Sequence, residues 1–110
     1  MANNRTRGLI KVYRPNGRDW MLYKVTKDNP YTFHHINERR NGGKYEIGNG
    51  ALLTHNAHEL LNVMEKEDIE LYEMWQDLFR DIAVTKDKPT KEHTDRMKEL
   101  REISRGRGYE

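Results

Sequence analysis

The stretch from residue 31 to residue 62 places the tightest constraint on what this chain can fold into. Two short runs, 32–36 and 51–54, are rich in β-branched, aromatic and aliphatic residues, and a polar segment, 37–48, lies between them. The tip of that segment reads Asn-Gly-Gly, and these residue types supply the backbone conformations that turns require. The pattern predicts two short strands joined by a long polar loop.

A helix is predicted to follow the second strand at once. Asn56 and Glu59 have the spacing of a capping box, which predicts a helix start at residue 56. His58 then lies in the first turn. Because residues four apart share one helix face, His58 and Asn62 are expected on the same side of this helix.

The first thirty residues are predicted to form an N-terminal β-arm. Residues 1–7 are polar and are expected to be loose, while the runs 9–13 and 20–25 are rich in residues that favour strands. Pro15-Asn16-Gly17 separates the two runs and is typical of a turn. This arm is expected to precede the strand–strand–helix segment, 31–66.

Two further helices are predicted over residues 68–104. From Asp68 onward the apolar positions recur at steps of three and four residues, which indicates an amphipathic helix that packs on a core. These positions are Leu71, Tyr72, Trp75, Leu78, Phe79 and Ile82. Pro89 marks a break, Thr90 can cap a last helix to about Ile103, and 105–110 is expected to be a frayed basic tail. The 110 residues are thus predicted to form one α+β domain.

The composition limits the chemistry that the chain can support. Cysteine is absent, so disulfides and thiolate zinc sites are excluded, and any metal must be held by His, Asn, Asp or Glu. The sequence contains no apolar run of membrane-spanning length, and its first residues lack the apolar core of a signal peptide. A soluble, cytoplasmic protein is therefore expected.

Charge is distributed unevenly along the chain. Residues 1–44 contain ten Lys or Arg against three Asp or Glu, a net charge of +7, whereas residues 65–81 contain two against seven, a net charge of −5. A basic half suits a polyanion such as DNA, and Arg39, Arg40 and Lys44 in the polar loop are candidate phosphate contacts. The alternative is an ordinary solvated charged surface.

Four of the five histidines lie in the central stretch, at positions 34, 35, 55 and 58. Because adjacent residues on a strand point to opposite faces, His34 and His35 are expected to have different tasks. His34, His58 and Asn62 could hold a metal that keeps open positions, which is typical of a catalytic site. A free imidazole at His35 could then accept a proton from an attacking water. This set favours phosphodiester hydrolysis.

These residues carry a resemblance to a known family. They keep fixed spacings and are, in order, His34, His35 and Ile36, then Gly42 and Gly43, then Asn49, His58 and Asn62. His58 follows Asn49 by nine residues and Asn62 follows it by thirteen. The pattern, over about 30 of the 110 residues, resembles the HNH endonuclease motif, which forms the ββα-metal fold of colicin-type nucleases, homing and restriction endonucleases and many small phage proteins.

The resemblance implies a role for each motif residue. His35 would be the general base, His34 and His58 would be metal ligands, Asn62 would take the third ligand position, and Asn49 would brace the loop and help aim the base. The implied cofactor is one divalent ion, Mg²⁺, Mn²⁺, Ni²⁺ or Zn²⁺, and the implied products carry 5′-phosphate and 3′-hydroxyl ends. Asn in place of His at the third position, and the missing Cys pairs of many members, are departures from the pattern.

Two alternatives stay open from the sequence. One is an HNH-like protein that has lost catalysis and binds nucleic acid or inhibits a protein partner, with the acidic segment 65–81 as its support. The other is a purely structural metal site of His34, His55, His58 and one more group, which would leave no open position for catalysis.

Overall fold

The computed structural model describes residues 3–37, 42 and 46–110. Within them, the chain forms an α+β structure with four α-helices and one two-stranded antiparallel sheet. In chain order the elements are α1 (Asn4–Tyr13), β1 (Tyr31–His35), β2 (Gly50–Thr54), α2 (His55–Glu67), α3 (Ile69–Thr85) and α4 (Lys91–Gly106), with a short 3₁₀ turn (Ile47–Asn49) before β2. The α+β class expected from the sequence is confirmed.

The predicted strand pair is present. β1 and β2 pair antiparallel, with Tyr31 opposite Thr54 at one end and His35 opposite Gly50 at the other. Gly50 is needed at this place because a Cβ there would lie 2.5 Å from the ring of Phe33. The ring of Phe33 therefore occupies the space that a side chain at residue 50 would need.

The helix after β2 begins one residue earlier than the sequence indicated. Thr54 is the N-cap of α2, and its hydroxyl accepts a hydrogen bond from the amide of Ala57 at 3.3 Å. The expected capping box of Asn56 and Glu59 is wrong. The Asn56 amide donates to the Asn29 side chain instead, and Glu59 pairs with His55, because β2 runs straight into the helix.

The predicted N-terminal β-arm is wrong over its first half, where the chain is helical. The side chain of Asn3 caps α1 by accepting from the amide of Thr6 at 2.9 Å. Thr6, Leu9 and Tyr13 are buried at helical spacing, so one apolar stripe holds α1 against the body. Capping and burial therefore override the strand preference of the apolar run, and the loose arm expected over 1–7 is largely part of this helix.

The second half of the predicted arm, between α1 and β1, is irregular and contains isolated bridges between Arg18 and Lys24 and between Thr26 and Asn29. A buried carboxylate, Asp19, organises this segment. It is 2% exposed, and burial raises its pKa, while hydrogen bonds from Thr54 and from two amides of its own loop lower it. Its oxygens accept from the amides of Met21 and Tyr23 and from the amide and hydroxyl of Thr54. Asp19 thus fastens this segment to the start of α2.

The two C-terminal helices lie where the sequence predicted them, but the chain after the last helix differs from the prediction. All the apolar positions expected on α3 are buried, so Trp75 and Phe79 are core residues, as expected. Thr90 caps α4 and forms a capping box with His93. The frayed tail is wrong, because α4 continues to Gly106 and Arg107 then bonds Asp68 at the start of α3.

No helix of the described residues is long and apolar enough to cross a membrane.

Candidate functional site

Two of the predicted metal ligands meet between the sheet and the helices. His34, on β1, is 5% exposed, and its Nδ1 lies 3.3 Å from Nε2 of His58 in the first turn of α2. The two ring centroids are 5.1 Å apart and the rings are nearly perpendicular, at 78°. The turn from β2 into α2 brings His58 over β1, so residues 24 positions apart form one pair.

Gln76 of α3 fixes the proton on His34. The amide oxygen of Gln76 lies 2.7 Å from His34 Nε2, and the amide nitrogen donates to the backbone carbonyl of Ile36 at 2.7 Å. A carbonyl oxygen only accepts, so the amide nitrogen must face Ile36 and the amide oxygen must face the ring. Because that oxygen also only accepts, His34 must donate from Nε2. Neutral His34 therefore directs the lone pair of Nδ1 toward His58.

Burial keeps both histidines of the pair neutral. It lowers the pKa of His34 to about 4, with the nearby His58 and His35 lowering it further and the Gln76 hydrogen bond opposing them. Burial also lowers the pKa of His58, and His35 and His55 add to that effect. Neutral imidazole is the form that binds a metal ion, so the pair is ready for one at neutral pH.

The distance across the pair fits a shared metal ion. Two nitrogen ligands with metal bonds of about 2.0 to 2.1 Å in tetrahedral geometry lie about 3.3 to 3.4 Å apart, and the His34–His58 distance is 3.3 Å. A hydrogen bond between them would be long, since N–H donors usually lie about 2.7 to 3.2 Å from their acceptors. A metal ligand usually donates its other ring N–H to an oxygen acceptor, as His34 does to Gln76.

Asn62, the residue expected at the third ligand position, carries an amide and not an ionisable side chain. In residues 3–37, 42 and 46–110 there is no group of three or more His, Asp or Glu side chains that could hold an ion. Asn62 is exposed and lies one turn beyond His58 on the same face of α2. His55 is exposed and pairs with Glu59 at 3.1 Å, so it takes a different partner from the His34–His58 pair.

The candidate base and its brace lie at the end of the sheet. His35 is half-buried opposite Gly50, and its ring centroid lies 5.0 Å from that of Phe33. Asn49 accepts from the amide of Asn37 at 2.7 Å and donates to its carbonyl at 2.9 Å. This contact ties the chain after β1 to the chain before β2. The bracing role of Asn49 and its effect on His35 stay predictions.

The expected phosphate contacts, Arg39, Arg40 and Lys44, lie outside the described residues. A cleft of about 410 Å³ opens beside the brace, between the ends of the strands and α3. Its lining residues are Ile36, Asn37, Gly48, Asn49, Arg80, Ala83, Val84 and Lys86. Arg80 of α3 and Lys86, the C-cap of that helix, thus line the same cleft as Asn49, and the sequence reasoning did not identify them.

The sequence reasoning also missed Gln76, although a local signal existed. Gln76 is four residues after Tyr72 and three before Phe79, so it lies on the apolar stripe of α3. It is 2% exposed. A buried polar side chain needs partners, and its place on that stripe indicated that it would find them in the interior.

No family model, no curated protein and no solved structure matches the chain.

Proposed function

We propose that the protein is a metal-dependent endonuclease of the HNH type that hydrolyses DNA phosphodiester bonds. β1, β2 and α2 would be its ββα-metal core. The observation that carries the proposal is the pair of neutral imidazoles, His34 and His58, with nitrogens 3.3 Å apart. The five residues to which the resemblance gives a role lie on these three elements and on the 3₁₀ turn before β2, which adds support; they are His34, His35, Asn49, His58 and Asn62.

One divalent ion would be held by His34, His58 and the amide oxygen of Asn62. When bound, such an ion polarises a phosphate oxygen and stabilises the leaving oxygen. Two imidazole ligands favour Zn²⁺ or Ni²⁺ over Mg²⁺, which prefers oxygen ligands and keeps its waters. Mn²⁺ has an intermediate preference for nitrogen ligands, so Zn²⁺ or Ni²⁺ is the expected metal.

His35 would act as the general base. A ring nitrogen accepts a proton from the attacking water as the oxygen of that water bonds to phosphorus, and the bond to the 3′ oxygen breaks. Asn49 would hold the end of β1 so that His35 keeps its place. Arg39, Arg40 and Lys44 would contact neighbouring phosphates, and the cytoplasmic location expected from the sequence is kept in this proposal.

The binding-only alternative has less support from the described residues. That alternative depended on the acidic segment 65–81, whose negative charges could imitate those of DNA. On α3, Asp81 pairs with Arg96 at 2.7 Å and Asp77 pairs with Arg80 at 2.8 Å. Cations of the same chain therefore neutralise part of the acidic surface, which weakens its resemblance to a polyanion.

The test is relaxation of supercoiled plasmid by the purified protein with Zn²⁺, Ni²⁺, Mn²⁺ or Mg²⁺, and with a chelator as the blank. His35→Ala and His58→Ala are expected to lose nicking, while the matched control His55→Ala, in the same helix as His58, keeps it. Thermal melting of each variant checks that it folds. Intact plasmid under every metal refutes the nuclease proposal. A gel shift without cleavage would then favour the binding alternative, and loss of nicking in a folded His55→Ala variant would show that His55 takes part in the catalytic site.

A further inference from the structure

We propose that Gln76 is a positioning residue of the metal centre, because it holds the proton of His34 on Nε2 and so leaves Nδ1 free to bind the ion. This inference rests on the proposed function. It adds to the site a residue of α3, an element outside the strand–strand–helix segment that carries the motif. The inference concerns the state of a ligand before the ion arrives, so it can be tested on the metal-free protein.

The amide of Gln76 has one orientation that satisfies both neighbours. Its nitrogen donates to the Ile36 carbonyl and its oxygen accepts from His34, each at 2.7 Å. Turning the amide over would place two acceptors together at Ile36. Gln76 is 2% exposed, so water does not offer a substitute partner. The position of the Ile36 carbonyl, at the end of β1, therefore determines which nitrogen of His34 carries the proton.

Without this acceptor the pair would have a competing state. His34 could carry its proton on Nδ1 and donate it to Nε2 of His58, which lies 3.3 Å away. In that state the proton occupies the space between the rings, and the lone pair of Nδ1 is lost to the ion. Gln76 selects the other tautomer, in which Nδ1 of His34 is unprotonated and offers a lone pair. His58 could still donate from its Nε2 to that lone pair, so Gln76 removes the proton that His34 itself would place between the rings, and an arriving ion then needs only His58 to carry its proton on Nδ1.

The surroundings of Gln76 do not require a polar residue for packing. Its neighbours on the stripe of α3 are apolar or aromatic, and Phe79 contacts the His34 ring with centroids 5.8 Å apart. A leucine of similar size would fill the same space, but it would take the Gln76 partner away from both the ring nitrogen of His34 and the carbonyl of Ile36. The polar side chain is therefore explained by these two hydrogen bonds.

The experiment compares Gln76→Leu and Gln76→Glu with a matched control, Ser104→Ala. Ser104, on α4, accepts a buried hydrogen bond at 3.0 Å from Trp75, which lies beside Gln76 on α3. Losing this hydrogen bond tests the effect of a similar loss of stability away from the histidines. Titration calorimetry with Zn²⁺ and with Ni²⁺ gives the affinity. Gln76→Leu is expected to weaken binding about 10- to 100-fold, whereas Ser104→Ala stays within about threefold. Gln76→Glu is expected to stay within about threefold only at a pH at which its buried carboxyl is protonated, because the acid O–H can then donate to the Ile36 carbonyl while its carbonyl oxygen accepts from Nε2 of His34.

A second readout is the ¹⁵N NMR spectrum of the histidine rings without metal. In the wild type His34 is expected to show a protonated Nε2 and an unprotonated Nδ1, and in Gln76→Leu a mixture of the two tautomers. A proton on Nδ1 in the wild type overturns the inference, even where Gln76→Leu fails to fold.

The two proposals fail in distinguishable ways. Wild-type protein that binds Zn²⁺ or Ni²⁺, together with a Gln76→Leu variant of equal affinity, overturns the role of Gln76 and leaves the nuclease proposal standing. Wild-type protein that binds neither ion overturns both.

Discussion

The metal-free protein is expected to lose folding stability as the pH falls from 7 to 5, with His34 as the main cause. In the folded chain burial lowers the pKa of His34 to about 4, from an ordinary value of 6.5. Between these two values the unfolded chain binds a proton at His34 and the folded chain does not. Acid therefore favours the unfolded state, and stability that is complete above pH 6.5 is lost as the pH falls toward 4.

The size of the effect follows from the two pKa values. Each pKa unit corresponds to about 1.4 kcal/mol, so the whole difference is worth about 3 kcal/mol. The part that falls between pH 7 and pH 5 is about 2 kcal/mol. The pKa of His58 is lowered as well, so that residue adds to the loss in the same direction.

The assay is urea unfolding at several pH values between 7 and 5, with a chelator present to keep the site metal-free. The matched variant is His34→Gln, which removes the titrating group. Its absolute stability is expected to be lower at every pH, but its slope with pH should be smaller than that of the wild type by about 2 kcal/mol over this window. Equal slopes in the two proteins would show that His34 is not the buried neutral imidazole on which the site depends.

Three further changes test the parts of the fold that hold the site. Gly50→Ala places a Cβ 2.5 Å from the ring of Phe33 and should lower the free energy of unfolding by about 1 to 3 kcal/mol. Gly106→Ala, whose Cβ meets nothing within 4 Å, should not lower it. Equal stability of the two variants in thermal melting would contradict this reasoning. Asp19→Ala removes the acceptor of four hydrogen bonds, three of them buried, and should cost at least about 3 kcal/mol in urea unfolding; a loss below about 1 kcal/mol would show that water replaces the carboxylate. Asn49→Ala should lower kcat by about tenfold or more with KM nearly unchanged, since it moves the base rather than the DNA; a change in KM alone would assign it to binding.

The elements that the sequence predicted correctly are those whose signal is local. The two strands, α2 and α3 were expected from turn residues and from apolar periodicity, and Thr90 was recognised as a cap. α1 was missed because Ile10, Val12 and Tyr13 favour strands, while the deciding evidence was an Asn3 cap and burial against the rest of the chain. Local preference therefore failed where tertiary contacts provided the larger part of the stability.

The residues of the candidate site likewise fall into those that the sequence could predict and those that depend on tertiary packing. His34 and His58 could be paired from sequence because their spacing from Asn49 matched a known motif. Gln76 and Asp19 could not, since each acts on a residue more than thirty positions away. Their partners are set by how α3 and the loop before β1 pack, and no spacing rule for a single sequence contains that information.

Exposure differs among the three candidate ligands, and this favours the proposed catalytic centre over the structural alternative. His34 is buried, His58 is half-buried and Asn62 is exposed, so the set runs from the core outward along the face of α2. A structural ion is enclosed by four protein ligands, whereas a catalytic ion keeps a position open to substrate. Within the described residues only two histidines meet, and the amide that would join them faces solvent. An ion held here would therefore keep open positions on its outer side, where a phosphate of DNA could reach it.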